Sequence, residues 1–284
     1  MKFGIFLPPF GELASARRVA ALAAAAEQAG WDGLYLWDHM LAEPGMPVAE
    51  AWTTLTAIAQ ATSSIRLGAM VTPLARRRPW VLARQIATLD QLSGGRLVAG
   101  IGLGDDGWRE FSAFGEETSP HARGEFLDES LEVLLRFLSG NEVHFRGSRL
   151  QVDSPPLLPR PLQDPVPFWA ACRWPNLKPL ARAARLQGCF PIFPGSGDWP
   201  VPPLVADLTA LRNELTSLGG SRSLDIAVRC ATHRLRAAER ADAVRAMADA
   251  GVTWLLEGFA PGQAAAEVEA YVRAGPPTGA GPAH

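Results

Sequence analysis

The feature that most constrains this chain is an alternation. Short apolar runs recur along it, each followed by a longer Ala/Leu/Arg-rich stretch whose apolar positions fall three and four residues apart. A strand period giving way to a helix period, repeatedly, is the signal for parallel βα units. Strands are expected near Lys2–Leu7, Gly33–Trp37, Arg66–Val71, Leu97–Ile101, Val166–Ala170, Cys189–Ile192, Leu224–Arg229 and Thr253–Leu256. Helices are expected over Ala14–Ala29, Glu50–Ala61, Pro79–Leu92, Arg123–Leu138, Leu177–Arg185, Pro203–Leu218, Ala237–Ala250 and Ala264–Ala274. Eight such pairs in one chain of 284 residues fit a single α/β domain, the (β/α)8 or TIM barrel, and exceed what a doubly wound sheet normally uses.

Local punctuation agrees with these boundaries. Pro79 sits where a first-turn proline is tolerated, Gly30 and Gly251 follow their helices as left-handed caps, and Ser93-Gly94-Gly95 breaks the third helix. One span resists regular structure. Between units four and five, about residues 141–165, a short hairpin over Glu142–Val152 is followed by SPPLLPRPLQDPVP. Its prolines rule out a helix, so it reads as an insertion after the fourth unit, expected over the barrel mouth. The barrel domain then spans 1–274, and the Gly/Pro/Ala-rich tail 275–284 reads as flexible.

Composition bounds the partners. With 48% hydrophobic and 20% charged residues the chain can bury a large core, and a net charge of −2 offers no general attraction for nucleic acid or an anionic membrane. A small-molecule substrate is the expected partner. Three cysteines, Cys172, Cys189 and Cys230, are too few for a disulfide framework, and the N-terminus MKFGIFLPPFGE lacks the features of an export signal; both point to the cytoplasm. No run reaches the roughly 18 apolar residues of a membrane span.

In such a barrel, chemistry gathers at the C-terminal ends of the strands. The second strand, WDGLYLWDHM, runs straight into Asp38-His39, and the other strand ends bring Pro8, Thr72-Pro73, Gly102 to Asp106, Cys172-Arg173, Phe193-Pro194 and Glu257 to the same face. The five histidines are scattered without metal-ligand spacing, so no metal is expected. Gly102 to Gly107 satisfies G-x-G-x-x-G, but two aspartates inside the loop would repel a pyrophosphate. The run Arg76-Arg77-Arg78 reads either as a solvated loop or as a grip on an anion. Trp37, Trp80, Trp108, Trp169 and Trp174 lie near strand ends or mouth loops, where some could wall a pocket for a flat ring.

The stretch SIRLGAMVTPLARRRPWVLARQIATLDQLSGGRLVAGIGLG (64–104) resembles the luciferase-like family of flavin- and deazaflavin-dependent oxidoreductases. WDGLYLWDH, WREFSAFG, HARGEFLDESLEVL and GVTWLLEGFAP extend the resemblance over most of the chain. It implies a (β/α)8 barrel, usually a homodimer, that binds FMN or a 5-deazaflavin (coenzyme F-420) at its mouth. By position, the third-strand bulge with a non-prolyl cis peptide that many relatives carry falls at Gly68-Ala69, with Met70 beside it. His39 corresponds to the histidine near the reacting ring atom in the deazaflavin members, Asp38 precedes it, and Asp105 falls where some relatives place an acid. His39 and Asp105 are thus the implied catalytic residues. Gly102, Leu103 and Gly104 would let backbone approach the flavin, and the loop Ala171-Cys172-Arg173 stands where relatives hold the cofactor phosphate, Ala-Cys replacing the usual Gly-Gly and leaving Arg173 as the anion ligand. The resemblance implies either an FMNH2/O2 monooxygenase or a deazaflavin-dependent hydride transfer on a small organic substrate; the alternative is a flavin-binding barrel without turnover. Leu41 to Glu43 stand where the family's sugar-phosphate dehydrogenases carry a tryptophan, which argues against a sugar-phosphate substrate.

Overall fold

The computed structural model of the protein describes residues 1–194 and 201–277. Its strands are β1 (Lys2–Leu7), β2 (Gly33–Leu36), β3 (Arg66–Ala69), β4 (Thr72–Pro73), β5 (Ala99–Gly102), a hairpin β6 (Val143–Arg146) and β7 (Gln151–Ser154), then β8 (Phe168–Arg173), β9 (Gly188–Ile192), β10 (Asp225–Cys230) and β11 (Trp254–Gly258). Between them run α1 (Ala16–Gln28), α2 (Ala51–Ala61), α3 (Pro79–Leu92), α4 (Pro120–Leu138), α5 (Leu177–Ala184), α6 (Val205–Ser217), α7 (Ala237–Asp249) and α8 (Ala265–Ala274).

All strands but the hairpin lie in one parallel sheet, ordered β3-β2-β1-β11-β10-β9-β8-β5-β4. The two ends meet: Leu67 of β3 bridges Leu97, just ahead of β5, and Val98 N donates to Leu67 O at 2.9 Å. The expected third strand is therefore present in two pieces. β3 pairs with β2 and β4 pairs with β5, with the break at the cis Met70–Val71 peptide. Counting β3 and β4 as one strand gives the eightfold barrel.

Strand alternation sorts the side chains. On β2, Leu34 and Leu36 face the helices, while Tyr35 and the following Trp37 face the barrel interior with Phe6, Trp169, Phe190 and Trp254. Such bulk inside the barrel requires small neighbours: a Cβ on Gly188 would lie 2.1 Å from the Trp169 ring, and one on Gly68 would lie 1.9 Å from the Val98 carbonyl oxygen. Both glycines therefore serve close packing. Gly68 sits in regular strand, paired with Tyr35, so the bulge expected at Gly68-Ala69 falls instead at Met70–Val71, where pairing to β2 stops and pairing to β5 takes over.

α4 starts at Pro120, three residues ahead of its expected start at Arg123, because Ser119 accepts from Ala122 N and Pro120 occupies the first turn. The segment after α4 lies away from the mouth, correcting the expected position of the insertion. Glu129 of α4 holds the hairpin turn through Ser148, Arg149 and Leu150 N–H groups. Beyond it, buried Asp90 of α3 accepts from Leu162 N and Gln163 N, and Gln163 reaches Leu97 O at 2.8 Å and receives Arg66 at 2.9 Å. Arg66 and Leu97 mark the N-terminal ends of their strands. A helix antiparallel to the strands returns the chain to that end, so whatever follows α4 begins beneath the barrel. Of the tail, 275–277 are described and the rest lies outside the described residues. Among the described residues no helix is long and apolar enough to cross a membrane.

Candidate active site at the barrel mouth

At the C-terminal ends of the strands lies a cavity of about 470 Å³. Phe6, Trp37, Met70, Val71 and Phe190 form its apolar wall; Asp38, His39, Leu103, Gly104, Asp105 and Glu110 form the side reached from β2 and β5; Ala171, Arg173, Lys178 and Arg182 form the side reached from β8 and α5.

His39 stands among rings, with Trp108, Trp37 and Phe10 centroids 5.0, 5.7 and 5.8 Å from its own. Its Nδ1 lies 2.8 Å from Glu110 Oε2, and its Nε2 makes no hydrogen bond among the described residues. An ionised carboxylate can only accept, so Nδ1 carries the hydrogen and Nε2 is the acceptor of the neutral ring. Glu110 itself is sealed, its side chain 2% exposed. It also accepts from the backbone N–H of Met40 and Leu41 and from Arg76 Nη1 at 2.7 Å. Burial pushes its pKa up, but the His39 hydrogen bond, the Arg76 guanidinium and the Met40 N–H outweigh burial and hold it below the usual glutamate value.

The turn that delivers Glu110 is built locally. Asp106 Oδ1 accepts from Phe111 N at 2.7 Å and Ser112 N at 3.1 Å, and Arg109 adopts a left-handed φ of 58° immediately before Glu110. Asp38, also buried, is held by Arg77 Nη2 at 2.9 Å, while Arg76 Nη2 donates to the Asp38 carbonyl at 2.6 Å. Two arginines and two carboxylates thus form one buried ion cluster beneath His39. Neither expectation for the arginine run describes Arg76 and Arg77, whose side chains are 6% and 18% exposed and paired internally. Arg78 lies over Trp80 instead.

Eight of the twelve catalytic and cofactor-binding residues expected from the sequence meet around this cavity: Asp38, His39, Met70, Leu103, Gly104, Asp105, Ala171 and Arg173. Asp105 spends one oxygen on the N–H of Gly107. Arg173 has no ion pair among the described residues. Four others do not line the cavity. Gly68 and Ala69 belong to the wall of β3, and Gly102 is wedged against Val71, where a Cβ would lie 2.4 Å from Val71 Cγ2. Cys172 points into the strand–helix layer, its Sγ 2.9 Å from Cys189 Sγ. Parallel-strand alternation makes this unavoidable: with Ala171 and Arg173 facing the mouth, Cys172 faces out. Glu257, placed at the same face by its strand, is fully buried against Thr232 and His233. Trp169 is barrel core and Trp174 bonds Asp207.

Glu110 is the residue that sequence reasoning missed. The available signal was an acid flanked by Trp108 and Phe111, since a carboxylate in an apolar stretch needs a partner.

Comparisons with known proteins agree on one family. Residues 1–193 match the family model of luciferase-like monooxygenases. An F-420-dependent glucose-6-phosphate dehydrogenase of Nakamurella multipartita is 32% identical over 237 residues, 77% of this chain and 65% of that protein. Matches to the curated relatives span from about half to two thirds of their lengths. An F-420-dependent secondary alcohol dehydrogenase in complex with an F-420–acetone adduct superposes with a TM-score of 0.77 over 97% of this chain and 98% of that one, at 18% identity. A monooxygenase from Streptomyces bottropensis superposes with a TM-score of 0.68 at 26% identity, over 88% of this chain and 79% of that one. With a family match over more than half its length and the same barrel, the chain belongs to the luciferase-like monooxygenase family.

Proposed function

We propose that the protein is a flavin-type oxidoreductase that works by hydride transfer with a 5-deazaflavin, coenzyme F-420, on a small organic substrate. The observation that carries this reading is the His39–Glu110 pair: a ring nitrogen without a partner among the described residues at an aromatic-walled cavity, its tautomer fixed from behind by a buried carboxylate.

The residues present fit a cofactor of this shape. Trp37, Met70 and Val71 offer flat and small surfaces, and the buried Trp37 Nε1 has no hydrogen-bond partner among the described residues. Arg173 is a cation at the rim without an ion pair among the described residues, placed for an anionic tail, with Lys178 and Arg182 beside it on α5, both shared with Asp128. When bound, a deazaflavin supplies or takes up a hydride. The chain's own part is to position and to move protons. His39 Nε2 accepts a proton from a substrate hydroxyl in the oxidative direction and returns it to a carbonyl oxygen in the reductive one. Glu110 stabilises the imidazolium that results, and Arg76 keeps Glu110 ionised. Trp108 and Phe10 shield the pair from water. The names of the F-420-dependent relatives support the deazaflavin; the monooxygenase relative keeps FMN as the second cofactor to test. Homodimeric assembly and a cytoplasmic setting belong to the same reading.

The test is a parallel titration of the purified protein with FMN and with F-420, followed by turnover of a panel of small alcohols and ketones. Micromolar binding of F-420 and a loss of about 10²–10⁴ in kcat for His39→Ala, with cofactor affinity within a few-fold, are the expected results. Binding of neither cofactor would overturn the proposal. Preference for FMN with O2 consumption would replace hydride transfer by oxygenation.

A further inference from the structure

We propose a second binding site, for a small oxyanion of the phosphate type, in the pocket behind Arg76. This pocket, about 290 Å³, is separate from the cavity at the barrel mouth: Ala122, Arg123 and Phe126 on one side of the first turns of α4 line it, whereas Pro120, His121 and Gly124 line the mouth. Its opposite wall is the turn Ala75 to Arg78.

The residue that points to a ligand is Arg123. It is 4% exposed, yet its guanidinium forms no ion pair among the described residues, and its Nε and Nη1 are buried without any hydrogen-bond partner. The Phe111 ring lies 4.3 Å from the guanidinium carbon. The Asp106 carboxylate, although not in ion-pair contact, feels the Arg123 charge: its pKa is held low by the Phe111 and Ser112 N–H groups first and by Arg123 in addition. A buried guanidinium stacked on an aromatic face still presents its edge to an acceptor, and a longer-range attraction to a carboxylate does not replace the missing hydrogen bonds. The other arginines of the pocket differ. Arg76, Arg77 and Arg149 have carboxylate partners, in Glu110, in Asp38 and Glu50, and in Glu125. Arg78, exposed on the rim, has none among the described residues.

Two carboxylates also line the pocket, Glu116 and Glu117, and both are exposed. Their charge is screened by water, whereas that of Arg123 acts in a low-dielectric setting, so an anion entering the pocket meets attraction at its inner end and weak repulsion at its rim. Phosphate and phosphate monoesters share the geometry that guanidinium groups bind best, two oxygens against paired N–H groups. The site shares Arg76 with the His39–Glu110 pair, so its occupancy would be felt at His39; binding itself does not depend on the redox reading.

The test is calorimetric titration of the full chain with inorganic phosphate and with glycerol phosphate, against chloride at matched ionic strength. Saturable 1:1 binding is expected, weakened at least tenfold by Arg123→Gln, a few-fold by Arg78→Gln, and unchanged by Arg173→Gln or by saturating FMN. Preference for glycerol phosphate would identify a monoester as the natural ligand, and its exclusion would identify free phosphate. Heat that follows ionic strength alone, equal binding by both the Arg123 and Arg78 variants, or phosphate displaced by FMN and lost in Arg173→Gln would overturn the proposal. If Arg123→Gln does not fold, the Arg78 and Arg173 variants decide.

Discussion

Replacing Glu110 by Gln removes one charge from a sealed site and leaves its shape intact, so the consequences can be worked from the hydrogen bonds. The carboxylate accepts from four N–H groups: Met40 N, Leu41 N and Arg76 on Oε1, and His39 Nδ1 on Oε2. A glutamine can keep its carbonyl oxygen toward the first three, which turns its NH2 toward His39. Two donors then face each other unless the imidazole proton moves from Nδ1 to Nε2. The expected variant therefore has the opposite His39 tautomer, with a donor at the cavity where the wild type has an acceptor. Charge-assisted hydrogen bonds contribute about 1.5–3 kcal/mol each against about 1 for neutral ones, and Arg76 keeps Asp38 as a partner, so the net destabilisation comes to about 2–4 kcal/mol. For a chain of this size that lowers Tm by about 4–10 °C. Thermal unfolding at pH 7.5 reads the stability, and nitrogen NMR of the ring reads the tautomer. A Tm within about 1 °C of wild type together with an unchanged tautomer would refute the reasoning, because it would mean that Glu110 does not hold His39 in solution.

Three further outcomes follow from the same geometry. Gly68→Ala places a methyl 1.9 Å from the Val98 carbonyl oxygen at the seam of the barrel, and a loss of about 3 kcal/mol or more is expected in urea unfolding. Arg173→Gln removes a cation without an ion pair among the described residues, so stability should stay within about 0.5 kcal/mol while cofactor affinity, measured by fluorescence titration, falls about tenfold. Glu27 ties the start of β3 to α1 by accepting from Ser63, Ser64 and Ile65 N–H groups; burial pushes its pKa up, but these bonds outweigh it and bring the value from 4.5 down to about 2. A folded value below the unfolded one means stability that is complete above pH 4.5 and lost as pH falls toward 2. Glu27→Gln should thus cost about 1–2 kcal/mol at pH 7, discounted for partial exposure, and nothing near pH 2.

The barrel was legible because its periodicities are local. Runs such as Gly33–Leu36 and the Trp254-Leu255-Leu256 part of β11 are buried on both faces and therefore read as unbroken apolar segments, and the helices between them carry one apolar stripe each. The mouth was legible at strand ends, where Asp38 and His39 follow β2 directly. Three things were not. The side-chain alternation that sends Cys172 outward depends on which residue of β8 first faces in, and the sequence FWAACR has no polar residue to set that phase until Arg173. The insertion was misplaced because its prolines identify a loop and say nothing of which end of the barrel it serves. Glu110 was missed because its partner lies 71 positions away and no local period connects them.

The break in the third strand explains why the buried charges can stand where they do. A continuous strand would carry its chain straight past the mouth. Instead β3 ends against β2 at Ala69, the chain steps across at Met70 and Val71, and β4 resumes against β5. The step leaves Met70 and Val71 as cavity wall and starts the following turn, Leu74 to Arg76, close beneath the end of β2. From there Arg76 reaches both the Asp38 carbonyl and Glu110, and Arg77 reaches the Asp38 carboxylate. Each of these four residues would carry a prohibitive desolvation penalty alone, and together they satisfy one another. The segment that forms this part of the cavity wall is therefore also the one that carries Arg76 to Glu110 and so holds His39, and a substitution that straightens the step, at Met70 or Val71, should disturb the orientation of His39 as well as the shape of the cavity.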